Sequence, residues 1–163
     1  MTLSEATLRF IAEHRRDDVR ALALQAGKYP LVDMPAALTQ IAGWQTAEVK
    51  VPAWAVTENI LYPPHLSMEQ CSSEVTARYK ASVVSGYDGP RQSLVDLTGG
   101  FGIDFSFLAP HFRQATYVER QEVLCEVARH NFPLLDLEAA RVIHTDGVDY
   151  LRQMEPIDWV YLD

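Results

Sequence analysis

The chain has 163 residues, of which 48% are hydrophobic, enough to bury one sizeable core or two small ones. It carries 14 Lys and Arg against 22 Asp and Glu, and the net charge of −8 argues against a protein that grips nucleic acid by itself, because phosphate neutralisation dominates such binding. It has no apolar run of about 18 residues, and its start is an acidic amphipathic pattern, so a membrane span and a signal peptide are not predicted. We expect a cytoplasmic protein with no membrane partner.

The first segment predicts a helix that begins at a capping box. Thr2 and Glu5 have the spacing of such a box, and an apolar stripe follows them. A second helix is predicted from about Asp17 or Asp18, before Gly27 and Pro30 end it, with its apolar side chains buried: Val19, Leu22 and Ala23.

A third helix is predicted from about Pro35, capped by Asp33, to Gly43. Residues 1–65 are therefore expected to form a small all-helical domain and a linker. Their one basic cluster, His14 to Arg16 with Arg20, is diluted by Asp17 and Asp18 and is interpreted as a solvated helix end.

A proline-containing stretch, Trp54 to Pro64, has no clean period and is predicted to be the linker. The pair Ser67 and Gln70 then predicts a capped helix through about Val84. The polar side chains of that helix either face solvent or reach a bound ligand: Gln70, Ser72, Ser73, Thr76, Tyr79 and Lys80.

The most informative stretch is Leu94 to Asp104 (LVDLTGGFGID), an apolar strand that ends on Asp96 and runs into a glycine-rich turn. Glycines at 99, 100 and 102 let the backbone approach a ligand closely, because glycine has no Cβ and tolerates positive φ. A tight strand-to-helix turn of purely structural origin is the alternative. The turn predicts a nucleotide-type cofactor site.

Three further strand patterns follow, each ending at a carboxylate, and helical patterns alternate with them. The strands are 114–118, 140–145 and 157–162, and the acids are Glu119, Asp146 and Asp163. This alternation predicts an α/β fold with a Rossmann-like parallel sheet over residues 66–163, its carboxyl ends along one edge. The fourth strand is expected on the other side of the first, which opens a crevice between strands one and four.

Two of these acids, Glu119 and Asp146, are interpreted differently. Glu119 follows Gly99 by 20 residues, the spacing at which a carboxylate on the second strand meets a ribose hydroxyl. Asp146 precedes Gly147 and could equally cap the next helix.

The glycine loop lacks the small residue that a dinucleotide fingerprint needs, because bulky Phe105 follows, and no P-loop motif is present.

The motif from Asp96 to Gly102 (DLTGGFG) resembles the first motif of class I S-adenosylmethionine-dependent methyltransferases, with Thr98 in place of its first glycine. The resemblance implies that this loop, Thr98, Gly99, Gly100 and Gly102 with Asp96, binds S-adenosylmethionine. It also implies that Glu119 holds the ribose, that Asp146 reads the adenine, and that Asp163, in a Tyr-Leu-Asp sequence, is catalytic.

Two segments, 10–24 and 68–81, are similar to a bacterial branch of this family whose full-length members carry a THUMP-like region after the methyltransferase domain. That resemblance implies RNA as a possible acceptor, bound through a region beyond this chain, with no DNA partner expected. The sheet is expected to be incomplete, because a doubly wound methyltransferase sheet has about six or seven strands and this sequence supplies four. The strand at 157–163 is therefore predicted to be an edge strand prone to disorder or to pairing with another molecule, and the fragment alone is expected to be inactive.

An NAD-type oxidoreductase, or a non-catalytic nucleotide-binding module on the same fold, is the alternative function. Cys71 and Cys125 form no metal or redox motif and the five histidines are scattered, so we expect reduced thiols and no metal. The oligomeric state is not predicted.

Overall fold

The computed structural model describes residues 3–163, with the side chain of His65 left out. The predicted cap at Thr2 lies outside the described residues, and within them Ser4 caps the first helix, its Oγ accepting from the Thr7 backbone N–H at 3.2 Å. The helices before the sheet are, in chain order, α1 (Glu5–His14), α2 (Val19–Ala23), α3 (Met34–Lys50), α4 (Pro52–Ala55), α5 (His65–Gln70) and α6 (Glu74–Ser85).

The predicted caps of α2 and α3 are confirmed. Asp18 accepts from Ala21 N–H, and Asp33 accepts from Ala36 N–H. The prediction that Ala23 is buried is wrong, because α2 is only five residues long and turns that side chain to solvent.

The predicted end of α3 at Gly43 is also wrong, since the helix continues to Lys50. Gly43 is needed for close packing: a Cβ there would overlap the Cβ of Tyr62 and lie 2.6 Å from its Cγ. The glycine lets the segment 60–62 cross the helix, and the Gln40 side chain fixes that crossing through both backbone groups of Tyr62.

The single helix predicted from Ser67 to Val84 is two helices, α5 and α6, separated by an extended Cys71. Ser73 is the cap of α6, because its Oγ accepts from Thr76 N–H at 3.2 Å. Lys50 ends α5 by donating to the carbonyls of Met68 and Glu69. The break turns the segment 70–72 toward the glycine loop.

The remaining elements alternate as predicted and form one parallel sheet. They are β1 (Ser93–Asp96), α7 (Ile103–Leu108), β2 (Gln114–Glu119), α8 (Glu122–Leu134), β3 (Arg141–His144), α9 (Gly147–Gln153) and β4 (Trp159–Tyr161). The strand order among the described residues is β3-β2-β1-β4, so the predicted crossing of the fourth strand to the far side of the first is confirmed.

The register brings the functional candidates to the carboxyl edge. Asp96 pairs with Tyr117 on one side and with Tyr161 on the other, and Glu119 pairs with His144. Because β4 pairs with β1 at the end of the sheet, its predicted position as an edge strand is confirmed.

Buried side chains join the helices before residue 65 to the glycine loop. One hydrophobic cluster contains Trp54 and Tyr62 from the first region and Phe101 and Ile103 from the loop and α7. The division of the chain into domains 1–65 and 66–163 stays a prediction. No helix within residues 3–163 is both long and apolar enough to cross a membrane.

Candidate functional site

The glycine loop joins β1 to α7 and has two residues in the left-handed region. Gly100 has φ +55° and Gly102 has φ +89°, conformations that L side chains rarely adopt. A Cβ on Gly102 would also lie 3.0 Å from the Phe132 ring. Glycine is therefore required at both positions by the backbone itself.

Gly99 is required for a different reason, which is the close approach of Tyr117. A Cβ at Gly99 would lie 2.5 Å from the ring Cζ, and this ring is fully buried on β2. The loop is tied to the same strand by Gly99 N–H donating to the Val118 carbonyl at 2.9 Å and by the Tyr117 hydroxyl donating to the Gly100 carbonyl. The shape of the loop thus depends on β2.

Glu119 also holds the loop. One carboxylate oxygen accepts from Gly100 N–H at 2.9 Å, and the other accepts from Gln121 N–H at 2.8 Å. Charge-assisted bonds of this kind are stronger than neutral ones. The side chain that the sequence singled out for its spacing therefore has a structural task at the loop, and the predicted ribose contact stays a prediction.

Asp96 lies at the end of β1 and is 1% exposed. One of its oxygens accepts from Thr98, from the backbone N–H at 2.9 Å and from the hydroxyl at 3.3 Å. Burial raises the pKa of Asp96 to about 7, with Asp104 and Asp163 adding to the rise and the Thr98 hydrogen bonds opposing it. A cation bound beside this carboxyl would favour its ionised form.

A cavity of about 370 Å³ opens at this edge of the sheet. Its walls come from the glycine loop, the break between α5 and α6, the start of α8 and the end of β4: Ser67, Gln70, Cys71, Ser72, Asp96, Thr98, Gly99, Gly100, Phe101, Gly102, Ile103, Asp104, Gln121, Leu124, Tyr161 and Asp163. We call it the glycine-loop cavity. It brings together six of the eight predicted site residues, and leaves Glu119 and Asp146 outside its walls.

Asp146 lies at the same edge but is exposed and caps α9, accepting from Val148 N–H at 2.8 Å and from Asp149 N–H at 3.3 Å. The capping alternative is therefore confirmed, and an adenine contact stays a prediction. Asp163 lies at the cavity, where its backbone N–H donates to the Thr98 hydroxyl at 3.0 Å.

The structure adds a polar cluster centred on Lys80 of α6. The ammonium group donates to Asp104 Oδ2 at 2.9 Å, to Tyr161 Oη at 2.7 Å, to Ser72 Oγ at 3.1 Å and to Asp163 Oδ2 at 3.3 Å. Burial lowers the pKa of Lys80, but its hydrogen bonds to Tyr161 and Asp104 and the Asp104 charge raise it by more, so the lysine stays charged. This cluster joins α6, α7 and β4.

Asp104 is the least satisfied member of the cluster. Its Oδ2 accepts from Ser72 at 2.8 Å and Tyr161 at 3.0 Å as well as from Lys80. Its Oδ1 is buried and has no hydrogen-bond partner in the described part of the chain. A buried carboxylate oxygen without a donor costs free energy, and a donor on a ligand would recover that cost.

Asp104 and Tyr161 were not predicted as site residues, whereas Lys80, Gln70 and Ser72 belonged to a polar face with two alternatives. The available signal was weak: Asp104 is the single charged residue in the mostly apolar run 101–109, and such an acid needs a partner when its helix is buried. No group of three or more His, Cys, Asp or Glu side chains among residues 3–163 is arranged to hold a metal ion.

No family model matches the chain, and no curated protein matches it significantly. Among solved structures the chain is similar to one described as "putative methyltransferase from Porphyromonas gingivalis W83", with a TM-score of 0.70 and 31% sequence identity. The alignment covers 93% of this chain and 38% of that protein, so the chain spans well under half of its length. The predicted Rossmann-like α/β fold is thus confirmed, and it is shared with a protein described as a methyltransferase.

Proposed function

We propose that this chain is the cofactor-binding part of an S-adenosylmethionine-dependent methyltransferase. The observation that carries the proposal is the 31% identity over 93% of the chain to a protein described as a methyltransferase. It is supported by the glycine-loop cavity, which lies at the carboxyl edge between β1 and β4, where ligands bind in sheets of this topology.

The chemistry of the cavity fits this cofactor. S-adenosylmethionine carries a sulfonium, an ammonium and one carboxylate group and so has a net positive charge, and three carboxylates line the cavity: Asp96, Asp104 and Asp163. The unpartnered Oδ1 of Asp104 is an acceptor of the kind that an ammonium group satisfies. The glycines at 99 and 102 let the loop pack against Tyr117 and Phe132, which fixes the backbone that lines the cavity.

We assign different residues of the chain to different parts of the cofactor. Asp96 and Asp104 would hold the cationic end, and the loop 98–102 would lie against the body of the ligand. Glu119 keeps the loop in place through Gly100, and we propose that its carboxylate also accepts from the ribose hydroxyls. Asp146 is proposed as the adenine contact from the cap of α9.

The cofactor supplies an electrophilic methyl group, so the protein mainly orients the reactants and excludes water. We propose that Asp163 orients an acceptor, and three observations support this: it lines the cavity, its Oδ2 lies 3.3 Å from the Lys80 Nζ, and its side chain is 60% exposed. An accessible carboxylate in this position can accept a hydrogen bond from an N–H group of the acceptor.

RNA is the proposed acceptor. The net charge of −8 disfavours strong phosphate binding by these 163 residues, so we propose that most of the affinity comes from other parts of the full protein. The target base would have to be turned out of its stack to reach the cavity.

The alternative function, an NAD-type oxidoreductase, is disfavoured by Phe105. This residue stands where the dinucleotide fingerprint needs a small side chain, and its ring is fully buried and stacked on Phe132 with centroids 5.0 Å apart. The helix after the loop is therefore packed through a large aromatic ring and not by close contact with the strand.

Calorimetric titration with S-adenosylhomocysteine and, separately, with NAD⁺ tests the proposal. We expect saturable binding of S-adenosylhomocysteine only. Asp104→Asn keeps the shape of the side chain but removes its charge, and should weaken binding by about tenfold or more. Asp149→Asn is the matched control, because it removes an exposed carboxylate paired with Arg152 and should bind as the wild type does. Preferred binding of NAD⁺, or equal losses in the two variants, would contradict the proposal.

A further inference from the structure

A second, larger cavity of about 1090 Å³ lies among α1, α3 and the segment 55–62. We call it the Trp44 cavity. Its walls include apolar side chains from α1 and from the segment 55–62, such as Leu8, Ile11, Val56 and Leu61, together with Trp44 of α3. It shares no lining residue with the glycine-loop cavity. It is therefore a separate candidate site.

Two guanidinium groups meet on one indole ring in this cavity. Arg15 and Arg16 each place their Cζ 4.9 Å from the centroid of the Trp44 ring, and all three residues line the cavity. Trp44 is itself fixed, because its Nε1–H donates to the Ala55 carbonyl at 3.1 Å. The result is a platform of planar groups that carries two positive charges.

The neighbouring acids do not pair with these two arginines as the sequence suggested. Asp17 contacts His14 Nδ1 at 2.7 Å, and Asp18 caps α2. Glu48 pairs with Arg16 at 2.9 Å. Arg15 and Arg16 are exposed and directly follow α1, so the interpretation of this cluster as a solvated helix end is confirmed. Trp44 adds to it an aromatic surface that both guanidinium groups contact, and we call this arrangement the cationic platform.

Tyr62 lines the same cavity and carries an unused donor. Its hydroxyl is buried without a hydrogen-bond partner in the described residues, whereas the neighbouring Gln40 side chain binds the Tyr62 backbone and leaves the phenol free. Burial raises the pKa of Tyr62, although the Arg15 charge opposes the rise, so the hydroxyl stays protonated. A ligand oxygen that reached it would recover the cost of the buried hydroxyl.

We propose that the Trp44 cavity binds a nucleoside monophosphate unit. Guanidinium groups match phosphate oxygens in a fork geometry, and the planar surfaces of arginine and of aromatic rings are the ones on which bases stack. The apolar walls accommodate the base, and the two arginines take the phosphate. The unit is either a free nucleotide or part of a single RNA strand, and the site does not depend on the function proposed for the glycine-loop cavity.

Calorimetry with uridine 5′-monophosphate, uridine, inorganic phosphate and a uridine hexanucleotide tests this site, in the presence of excess S-adenosylhomocysteine. We expect the monophosphate to bind at least about tenfold more tightly than uridine or phosphate, because both parts of the nucleotide contribute. A hexanucleotide that binds more tightly than the monophosphate indicates an RNA strand as the source, and equal affinities indicate a free nucleotide.

Arg15→Gln should weaken monophosphate binding by about tenfold, and Arg15→Lys by less, because lysine keeps the charge without the fork. Arg9→Gln is the matched control: it removes the same charge from α1, the helix that Arg15 directly follows, and Arg9 pairs with Glu5 outside the cavity. Absence of monophosphate binding, phosphate binding as tight as that of the nucleotide, or equal losses in Arg9→Gln and Arg15→Gln would overturn the proposal. Circular dichroism of each variant confirms that it is folded.

Discussion

The two cavities differ in how their charged side chains are held. Beside the glycine-loop cavity one ammonium group, that of Lys80, donates to four oxygen atoms, and its side chain is only 26% exposed. One of these oxygens lies in α7, one in β4, one in the segment between α5 and α6 and one on the residue Asp163 after β4. In the Trp44 cavity the arginines lie on an aromatic ring near the surface, and the Arg16 side chain is 70% exposed. The first cavity is preorganised by buried electrostatics, and the second by stacking.

This difference matters for what each cavity can do. A buried network keeps its groups in fixed positions, as a site that orients a reactive cofactor requires. An exposed platform of stacked guanidinium groups can bind a phosphate that approaches from solvent, as recognition of a nucleotide requires. The remaining predictions test this contrast, from the largest expected effect to the smallest.

Lys80→Met should destabilise the chain by about 3 kcal/mol, because it leaves Asp104 buried without its cation. Arg16→Met is the counterpart in the other cavity and should change the free energy of unfolding by less than about 1 kcal/mol, because it breaks an exposed pair. Urea unfolding of both variants measures the difference. Equal losses would mean that the Lys80 cluster is not a buried network.

Gly99→Ala should cost about 1–3 kcal/mol, because the added methyl group meets the buried ring of Tyr117. Gly43→Ala should cost a similar amount through its overlap with Tyr62, whereas Gly27→Ala, with no atom within 4 Å, should not destabilise. Thermal unfolding ranks the three. Binding of S-adenosylhomocysteine should be lost only in Gly99→Ala. Its loss in Gly43→Ala would show that the two cavities are not independent of each other.

Asp96 predicts a pH dependence. An aspartate in the unfolded chain has a pKa of about 3.9, and burial raises the pKa of Asp96 in the folded state to about 7. Between these values the folded state binds the extra proton, so the contribution of Asp96 lowers the free energy of unfolding as pH rises from about 4 to about 7. Asp96→Asn should lack this fall, which urea titrations at several pH values would detect.

The same shift predicts how the binding of a ligand with an ammonium group responds to pH. A bound ammonium group favours the ionised carboxylate, so the affinity for S-adenosylhomocysteine should rise as pH increases through about 7 in the wild type. The rise should be absent in Asp96→Asn. A pH-independent affinity in the wild type would place the ligand away from Asp96.

Removing the hydroxyl group from either of two tyrosines, Tyr161 and Tyr62, should change the free energy of unfolding by the smallest amount, and the two variants form a closely matched pair. The Tyr161 hydroxyl accepts from Lys80 and donates to Asp104, so Tyr161→Phe should destabilise by about 1 kcal/mol. The Tyr62 hydroxyl is buried without a partner, so Tyr62→Phe should stabilise by about 1 kcal/mol. Opposite signs in parallel unfolding experiments support the account, and a loss of stability in Tyr62→Phe contradicts it.

The sheet was predictable from the sequence because strand and helix patterns alternate and each strand ends at a carboxylate. The glycine loop was predictable because its residues are contiguous. The break at Cys71 was not predictable, since it depends on Lys50 binding carbonyl groups almost twenty residues away. Neither was the length of α3, because Gly43 is a contact glycine whose partner, Tyr62, is distant in the chain.

The residues of the candidate site differ in the same way, since some were predictable from a local motif and others were not. Asp96, Thr98 and the glycines lie where their motif predicts, whereas Asp104 and Tyr161 reach the cavity through contacts that no local pattern records. Arg15 and Arg16 were interpreted by counting neighbouring charges. In the structure Asp17 and Asp18 contact other partners, and the two guanidinium groups lie against the Trp44 ring. Counting charges along the sequence does not show where each side chain points.

Heteronuclear NMR of the labelled chain, titrated with S-adenosylhomocysteine, tests the central claim most directly. The amide signals of Gly99, Gly100 and Gly102 and of the segment 70–72 should shift in a saturable way, because these residues line the glycine-loop cavity. The Trp44 indole signal should not move, since that ring lies in the other cavity. Shifts confined to the Trp44 cavity, or an absence of shifts at the glycine loop, would contradict the account.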